Sequence, residues 1–277
     1  MILRYSPRQV ALSTVSWLTQ LINAPRRMTR FIPLSMPVFA RQHFYDKKLK
    51  RFFSIEIRDW IDWNTAMQIF YNDDYGLDKL KRQHDIVARY RDIVGAGKIP
   101  LIIDCGGNIG LAARYFSDNF PQAQILCVEP DTNNVAQARK NNAANIVFLE
   151  NAIGSTRSRG TLVDPGLGNN AFRISTTGSA DGAGDTDIIA INDLLDRYPA
   201  GTYTPFVIKI DIEGFESELF SRNTEWVEKF PLLIMELHDW MLPKTANSGN
   251  FLKTIANADR DFVFYGENVF SISNTIL

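Results

Sequence analysis

The sequence predicts an α/β fold built on a mostly parallel sheet, and three observations predict it. Between residues 99 and 152, apolar runs alternate with stretches of helical period, the pattern of parallel strands joined by crossover helices. The first of these strands runs into a glycine turn at 106–110, and a helix starts at once. The second ends on an acid, Glu129, at the distance beyond the turn where such folds grip a ribose.

From the N-terminus, residues 8–24 lie between Pro7 and Pro25 and repeat Leu12, Val15, Leu18 and Ile22 at helical spacing, with Trp17 and Leu21 nearby. Arg4 and Arg8 precede this helix; Arg26, Arg27 and Arg30 follow it. Amphipathic helices ordinarily bury their apolar stripe in protein, so packing on the body or on a second subunit is the first expectation. A helix lying on an anionic membrane surface is the alternative. A signal peptide fits poorly: Ser, Thr and Gln interrupt the apolar stretch, and no small-residue cleavage site follows.

Residues 51–60 read as a strand and 77–95 as a helix stopped by Gly95 and Gly97. The regular part follows: strand 99–105, helix 109–120, strand 123–129, helix 132–143, strand 146–152. Residues 154–187 break the rhythm with Gly, Ser, Thr and Asp, and hold short β pieces at 160–164 and 171–175. Such a segment is an insertion over the active face or a disordered loop. Strand 206–212, a helix near 215–222, strand 231–239 and a helix near 249–258 come next. A hairpin turning at Gly266–Asn268 closes the chain. The division is a basic N-terminal extension, 1–65, and a main domain, 66–277.

The chain has 277 residues and a net charge of −1, which does not point to nucleic acid. The charge is unevenly spread. Residues 1–51 carry ten Lys or Arg and one acid, Asp46, leaving twenty bases and thirty acids for the rest. The two cysteines, Cys105 and Cys127, show no metal-ligand spacing and read as reduced thiols of a cytosolic protein. No apolar run has the length of a membrane span. The expected location is the cytoplasm, with peripheral membrane contact through residues 1–51 as the open alternative.

The glycine turn carries the chemistry. A nicotinamide fingerprint needs G-x-G-x-x-G, and the nearest register, 105/107/110, has Cys105 at its first position. The other register is acid-x-Gly-x-Asn-x-Gly: Asp104, Gly106, Asn108, Gly110. An acid there is awkward for a pyrophosphate and natural for S-adenosylmethionine, whose methionine end carries an ammonium and whose sulfur is positive. Two unit charges attract by about 4 kcal/mol at 4 Å and an effective dielectric near 20. The candidate cradle is therefore Asp104, Cys105, Gly106, Gly107, Asn108 and Gly110. Glu129 and Pro130 lie at the ribose, and Asn151 and Ala152 border an adenine ring.

Strand 206–212 ends in a charged row. Lys209, Asp211 and Glu213 alternate with isoleucines, which puts them on one face. Ligands of open α/β sheets bind beyond the carboxyl ends of strands, so Asp211 is expected in the site. Asp211, Glu213 and His238 are the candidates for a general base. The bland readings are that Glu213 or Glu216 caps the following helix, that Lys209 pairs with one of them, and that His238 is a buried structural residue. No metal is predicted, although Asp211, His238 and Asp239 offer ligands for Mg²⁺ or Mn²⁺.

Together, "LIIDCGGNIG", "CVEPD" and "VIKIDIEGFE" resemble the FkbM family of S-adenosylmethionine-dependent methyltransferases, from about residue 67 to the C-terminus. The stretch 219–243 resembles a subgroup found beside sugar and polysaccharide genes. Gly107 departs from the family's usual Ala. The resemblance implies a Rossmann-like class I methyltransferase fold: seven strands, mostly parallel, the last antiparallel. It also implies O-methylation of hydroxyls on sugars or polyketides. The expected function is O-methylation of a sugar or glycan, with a lipid-linked acceptor motivated by the basic arm. The alternatives are a non-catalytic cofactor-binding module, a methyltransferase acting on a polyketide or other small-molecule hydroxyl, and a nicotinamide-dependent oxidoreductase.

Overall fold

Three strands form where the sequence shows one, because polar residues occupy two of the three buried positions of the middle strand, Gln42 and Asp46. The structure, a computed structural model, describes residues 3, 6–23, 29–163, 173–175 and 184–276. Helix α1 (Pro7–Asn23) docks through buried Ser13 and through Trp17, which packs on the core. Its stripe of Leu12, Val15, Leu18 and Ile22 is exposed, so the body does not cover the face the pattern marks for burial. Strands β1 (Phe31–Pro33), β2 (Arg41–Asp46) and β3 (Arg51–Glu56) make an antiparallel sheet in that order. In β2 the buried positions are Gln42, Phe44 and Asp46. Gln42 donates to the Met36 and Phe39 carbonyls, and Asp46 accepts from buried Arg30 at 2.7 and 3.0 Å.

Helix α2 (Trp60–Ala66) is capped by the Asp59 carboxylate, which accepts from the Ile61 and Asp62 amides. It runs into a π-helical turn, Met67–Tyr71. Helix α3 (Gln83–Gly95) starts six residues later than its sequence pattern. A 3₁₀ turn, Leu77–Lys79, ends on Leu80, whose extended backbone buries its side chain and interrupts the helix.

The main layer then alternates as the sequence predicts: β4 (Ile99–Cys105), α4 (Leu111–Asn119), β5 (Gln124–Val128), α5 (Thr132–Ala138), β6 (Ile146–Leu149). The expected strand 146–152 splits at Glu150–Asn151. Its last residue opens β7 (Ala152–Gly154), which joins a second sheet with β8 (Ser158–Val163), β9 (Arg173–Ser175) and β10 (Gly184–Ala190), ordered β7-β10-β8-β9. The predicted pieces at 160–164 and 171–175 correspond to parts of β8 and β9; residues 164–172 and 176–183 lie outside the described residues. The chain continues through α6 (Ile191–Arg197), β11 (Tyr203–Ile210), α7 (Glu216–Leu219), β12 (Leu232–Glu236), α8 (Gly249–Ala256), β13 (Arg260–Tyr265) and β14 (Asn268–Ser273).

The large sheet is ordered β13-β14-β12-β11-β4-β5-β6. β12, β11, β4, β5 and β6 are parallel, and β14 runs against β12. This is the Rossmann-like methyltransferase arrangement with antiparallel closing strands. Its central strands β4 and β11 are mostly apolar because both faces are covered, and the buried charges Asp104 and Lys209 stand near their carboxyl ends. One face packs on α4 and on the N-terminal sheet through Phe31, Phe44, Phe53 and Phe70; the other packs on α6, α7 and α8. The chain leaves β4 toward β5 on one side and meets β11 on the other, so the strand order reverses there. Ligand crevices open at such a switch point.

Candidate active site

The turn after β4 is forced by its neighbours. Gly106 has φ +76°, and a Cβ on it would overlap the Asp211 carbonyl oxygen, so only glycine lets β4 and β11 close at this point. The Gly106 and Gly107 amides both donate to the Val128 carbonyl, each at 3.0 Å. The Asn108 amide, at φ 45°, donates to Glu129 Oε2 at 2.8 Å. Its side-chain Oδ1 is buried without a hydrogen-bond donor, an acceptor left for a ligand.

Glu129 follows β5. Its Oε1 accepts from the Asp131 amide and from Asn134 Nδ2, each at 3.1 Å. Burial pushes its carboxyl above the usual range, and these bonds pull part of the way back. Oε2, with one donor, keeps acceptor capacity for a hydroxyl.

Lys209 is the unexpected centre. It is buried near the end of β11 with Nζ 2.7 Å from the Gly106 carbonyl, 3.2 Å from Asp104 and 3.3 Å from Asp211. Burial alone would lower its pKa, but the charges of Asp104 and Asp211 raise it well above that of a free lysine. Lys209 therefore bridges two aspartates rather than pairing with Glu213 or Glu216. Asp104 has no exposed surface, and its charge is answered from within the protein. The sequence argument placed that charge beside a bound ammonium; here the ammonium beside it is Lys209.

His238 follows β12 and is buried. Its Nδ1 lies 2.7 Å from Oε1 of Glu216, which is itself buried and accepts from Asn247. Nε2 faces Asp211 at 3.6 Å, Glu236 at 3.6 Å and Glu213 at 3.8 Å. Burial opposes the imidazolium, but the bond to Glu216 and the nearby carboxylates of Glu236 and Asp211 raise its pKa to about 11. At neutral pH His238 is a cation and has no lone pair with which to take a proton. The neutral-histidine base is thus replaced by an imidazolium in a carboxylate cage. Glu213 sits at φ 53°, and burial, then the charge of Asp211, raise its pKa to about 8, with His238 holding it lower than it would otherwise be.

One cavity of about 680 Å³ joins these groups. Gly106, Asn108, Glu129, Pro130, Asn151 and Ala152 line one part of it; Asp211, Glu213 and His238 line another. Among the expected cradle residues, Asp104, Cys105, Gly107 and Gly110 do not line it. They set the turn: a Cβ on Gly107 would overlap Cys127 Sγ, and one on Gly110 would crowd Ala138 of α5. The cavity also takes in Asp74, Tyr75, Glu236 and Glu267, which sequence reasoning missed. Burial raises the Asp74 pKa to about 6. Asp74 and Tyr75 lie in an irregular loop, and Glu236 and Glu267 are set beside them only by β12 meeting β14. Asp211, Glu213 and His238 bring ligand atoms within 4.8 Å of one another, a spacing that admits a metal ion. Asp239 is not in that group; its Oδ1 faces the Ser248 amide at 3.4 Å.

A family model described as the Methyltransferase FkbM domain matches residues 104–263. No curated protein matches the chain. Among solved structures, precorrin-6y C5,15-methyltransferase from Geobacter metallireducens is 10% identical, covers 70% of this chain and 88% of its own, and has a TM-score of 0.36. The N-terminal domain of human METTL16 in complex with SAH is 13% identical, covers 67% and 66%, and scores 0.36. TrmK of M. capricolum with S-adenosylhomocysteine is 11% identical, covers 66% of each chain, and scores 0.30.

Proposed function

The chain belongs to the FkbM family of S-adenosylmethionine-dependent methyltransferases, and from that premise we propose that it methylates a hydroxyl of a sugar or glycan. The observation that carries this reading is the single cavity joining Glu129 and Asn108 to the Asp211–Glu213–His238 cluster. One part is suited to a nucleoside, the other to an acceptor.

S-adenosylmethionine, when bound, supplies an electrophilic methyl group on a positive sulfur. Glu129 would accept from its ribose hydroxyls, and Asn108 Oδ1, the buried acceptor without a donor, would take a further hydrogen bond. Val128, Pro130, Ala152 and Ile153 provide an apolar wall for the base. Asp211, tied to Lys209 behind it, would present its carboxylate to the positive end of the donor.

The acceptor hydroxyl holds its proton about as tightly as water, near pKa 15.7, and an ordinary carboxylate near pKa ~4 cannot ionise it beforehand. The proton therefore leaves as the new C–O bond forms. Glu213 is the group to receive it, because its raised pKa makes it a stronger base than an ordinary carboxylate. His238 positions Glu213 and limits how far the crowded carboxylates push its pKa up. Asp74, Glu236 and Glu267 add acceptors suited to a polyol.

Calorimetry with S-adenosylhomocysteine and with NAD tests the donor; binding of the first alone is expected, and NAD binding alone would overturn the reading. Transfer of labelled methyl to glycan fractions, with NMR of the product, tests the acceptor. Methylation at nitrogen or carbon would remove the hydroxyl.

A further inference from the structure

We propose that α1 is an interfacial helix that lays its outward face on an anionic lipid surface. The observation is the side the helix leaves uncovered. Ser13 and Trp17 anchor it to the body. At about 100° per residue, Leu12, Val15, Leu18 and Ile22 fall within an arc of roughly 120° on the opposite side. They are 56, 64, 43 and 62% exposed. An apolar stripe this open, on a helix already docked by its other side, lacks, among the described residues, the partner that would dry it.

The chemistry of that partner follows from charge. The helix has no acidic residue, and exposed Arg8 falls on the same side as the stripe. Arg4, Arg26 and Arg27 flank the helix in the sequence, within a segment of ten bases and one acid. Apolar side chains that enter the acyl boundary beside cations that meet phosphate headgroups define an interfacial helix. A second copy of the chain fits less well. A twofold contact would set this basic segment against itself, and four partly exposed side chains fall well short of the ~800 Å² per partner of a stable dimer. None of this depends on methyl transfer.

Flotation of the full chain with vesicles tests it. The protein should float with phosphatidylcholine–phosphatidylglycerol vesicles at low salt, and at least tenfold less with phosphatidylcholine alone or at high salt. Leu12→Asn/Val15→Asn/Ile22→Asn should weaken flotation by at least tenfold, with the thermal midpoint and S-adenosylhomocysteine binding unchanged. Should that variant fold poorly, Val15→Ser alone should still weaken binding measurably. Equal flotation of wild type and folded variant, or none of the wild type at low salt, would sink the proposal. So would a concentration-dependent dimer that the triple substitution dissolves, which would give the face to a second copy.

Discussion

Glu213 and His238 make opposite demands on one small volume, and their separate removal distinguishes base from scaffold. With a pKa of about 8 in the free protein, Glu213 is mostly protonated at pH 7, so kcat/KM should rise with pH and level off above about 8. Glu213→Gln should cost about 10²–10⁴ in kcat and abolish that rise, as loss of a positioned base does. His238→Gln should move the midpoint of the rise to higher pH, since the imidazolium charge now lowers the Glu213 pKa. A midpoint that stays put in H238Q would remove His238 from the electrostatics of the site. Stability carries the same sign. Both pKa values are raised on folding, so the contribution of each is complete below its unfolded value and fades as pH climbs, from about 4.5 to 8 for Glu213 and about 6.5 to 11 for His238. Thermal midpoints should therefore fall on the alkaline side, and less steeply in E213Q.

At the scale of elements, the turn between β4 and α4 is locked to the neighbouring strand by one sulfur. A methyl on Gly107 would overlap Cys127 Sγ on β5, both being buried beside the cavity floor. Gly107→Ala alone should destabilise by about 1–3 kcal/mol, the range for overpacking a filled site. Cys127→Ala should make room for it, because the remaining Cβ lies at ordinary contact distance. Denaturation of the two single variants and the double should give a coupling energy above about 0.5 kcal/mol; strict additivity would refute the lock. The same region shows what a sequence can tell. The strand–turn–helix order and Glu129 were legible because β4, the turn and β5 are contiguous, with local pattern and fold in agreement. The roles of Asp104 and Lys209 were not, because β11 meets β4 only across a hundred residues of chain. Nothing local says that Lys209 points back under the glycine turn instead of forward to Glu213. The break after β6 was also hidden, since residues 146–152 read as one strand while the chain leaves the large sheet at Glu150–Asn151 and its last residue, Ala152, opens β7 of the second sheet.

At the scale of the whole molecule, the N-terminal sheet and the catalytic layers share one core, which the sequence divided near residue 65. That division followed the start of the family resemblance near residue 67 and the basic surface of residues 1–51, neither of which reports the core; the aromatic residues beneath, Phe31, Phe44 and Phe53, pack on Phe70, which ties them to the main body. Arg30 joins the two parts. It is buried, forms a two-pronged bond to Asp46, donates to Asn119 of α4 at 2.6 Å and lies 4.5 Å above the Phe31 ring. Arg30→Ala would leave Asp46 buried without its cation, at a cost of about 3–5 kcal/mol. If the halves fold as one, calorimetry of this variant should show a single transition moved down by roughly 10 °C. If they fold separately, a small transition should split off at lower temperature while the main one stays fixed. Arg30→Met with Asp46→Leu should recover much of the loss, because the buried pair serves the joint through shape as well as charge. Removal of residues 1–23 takes α1 and one core side chain, Leu3, and should leave the single transition in place. Removal of residues 1–57 takes Phe31, Phe44, Phe53 and Ile55 out of the shared core and should yield no cooperative fold.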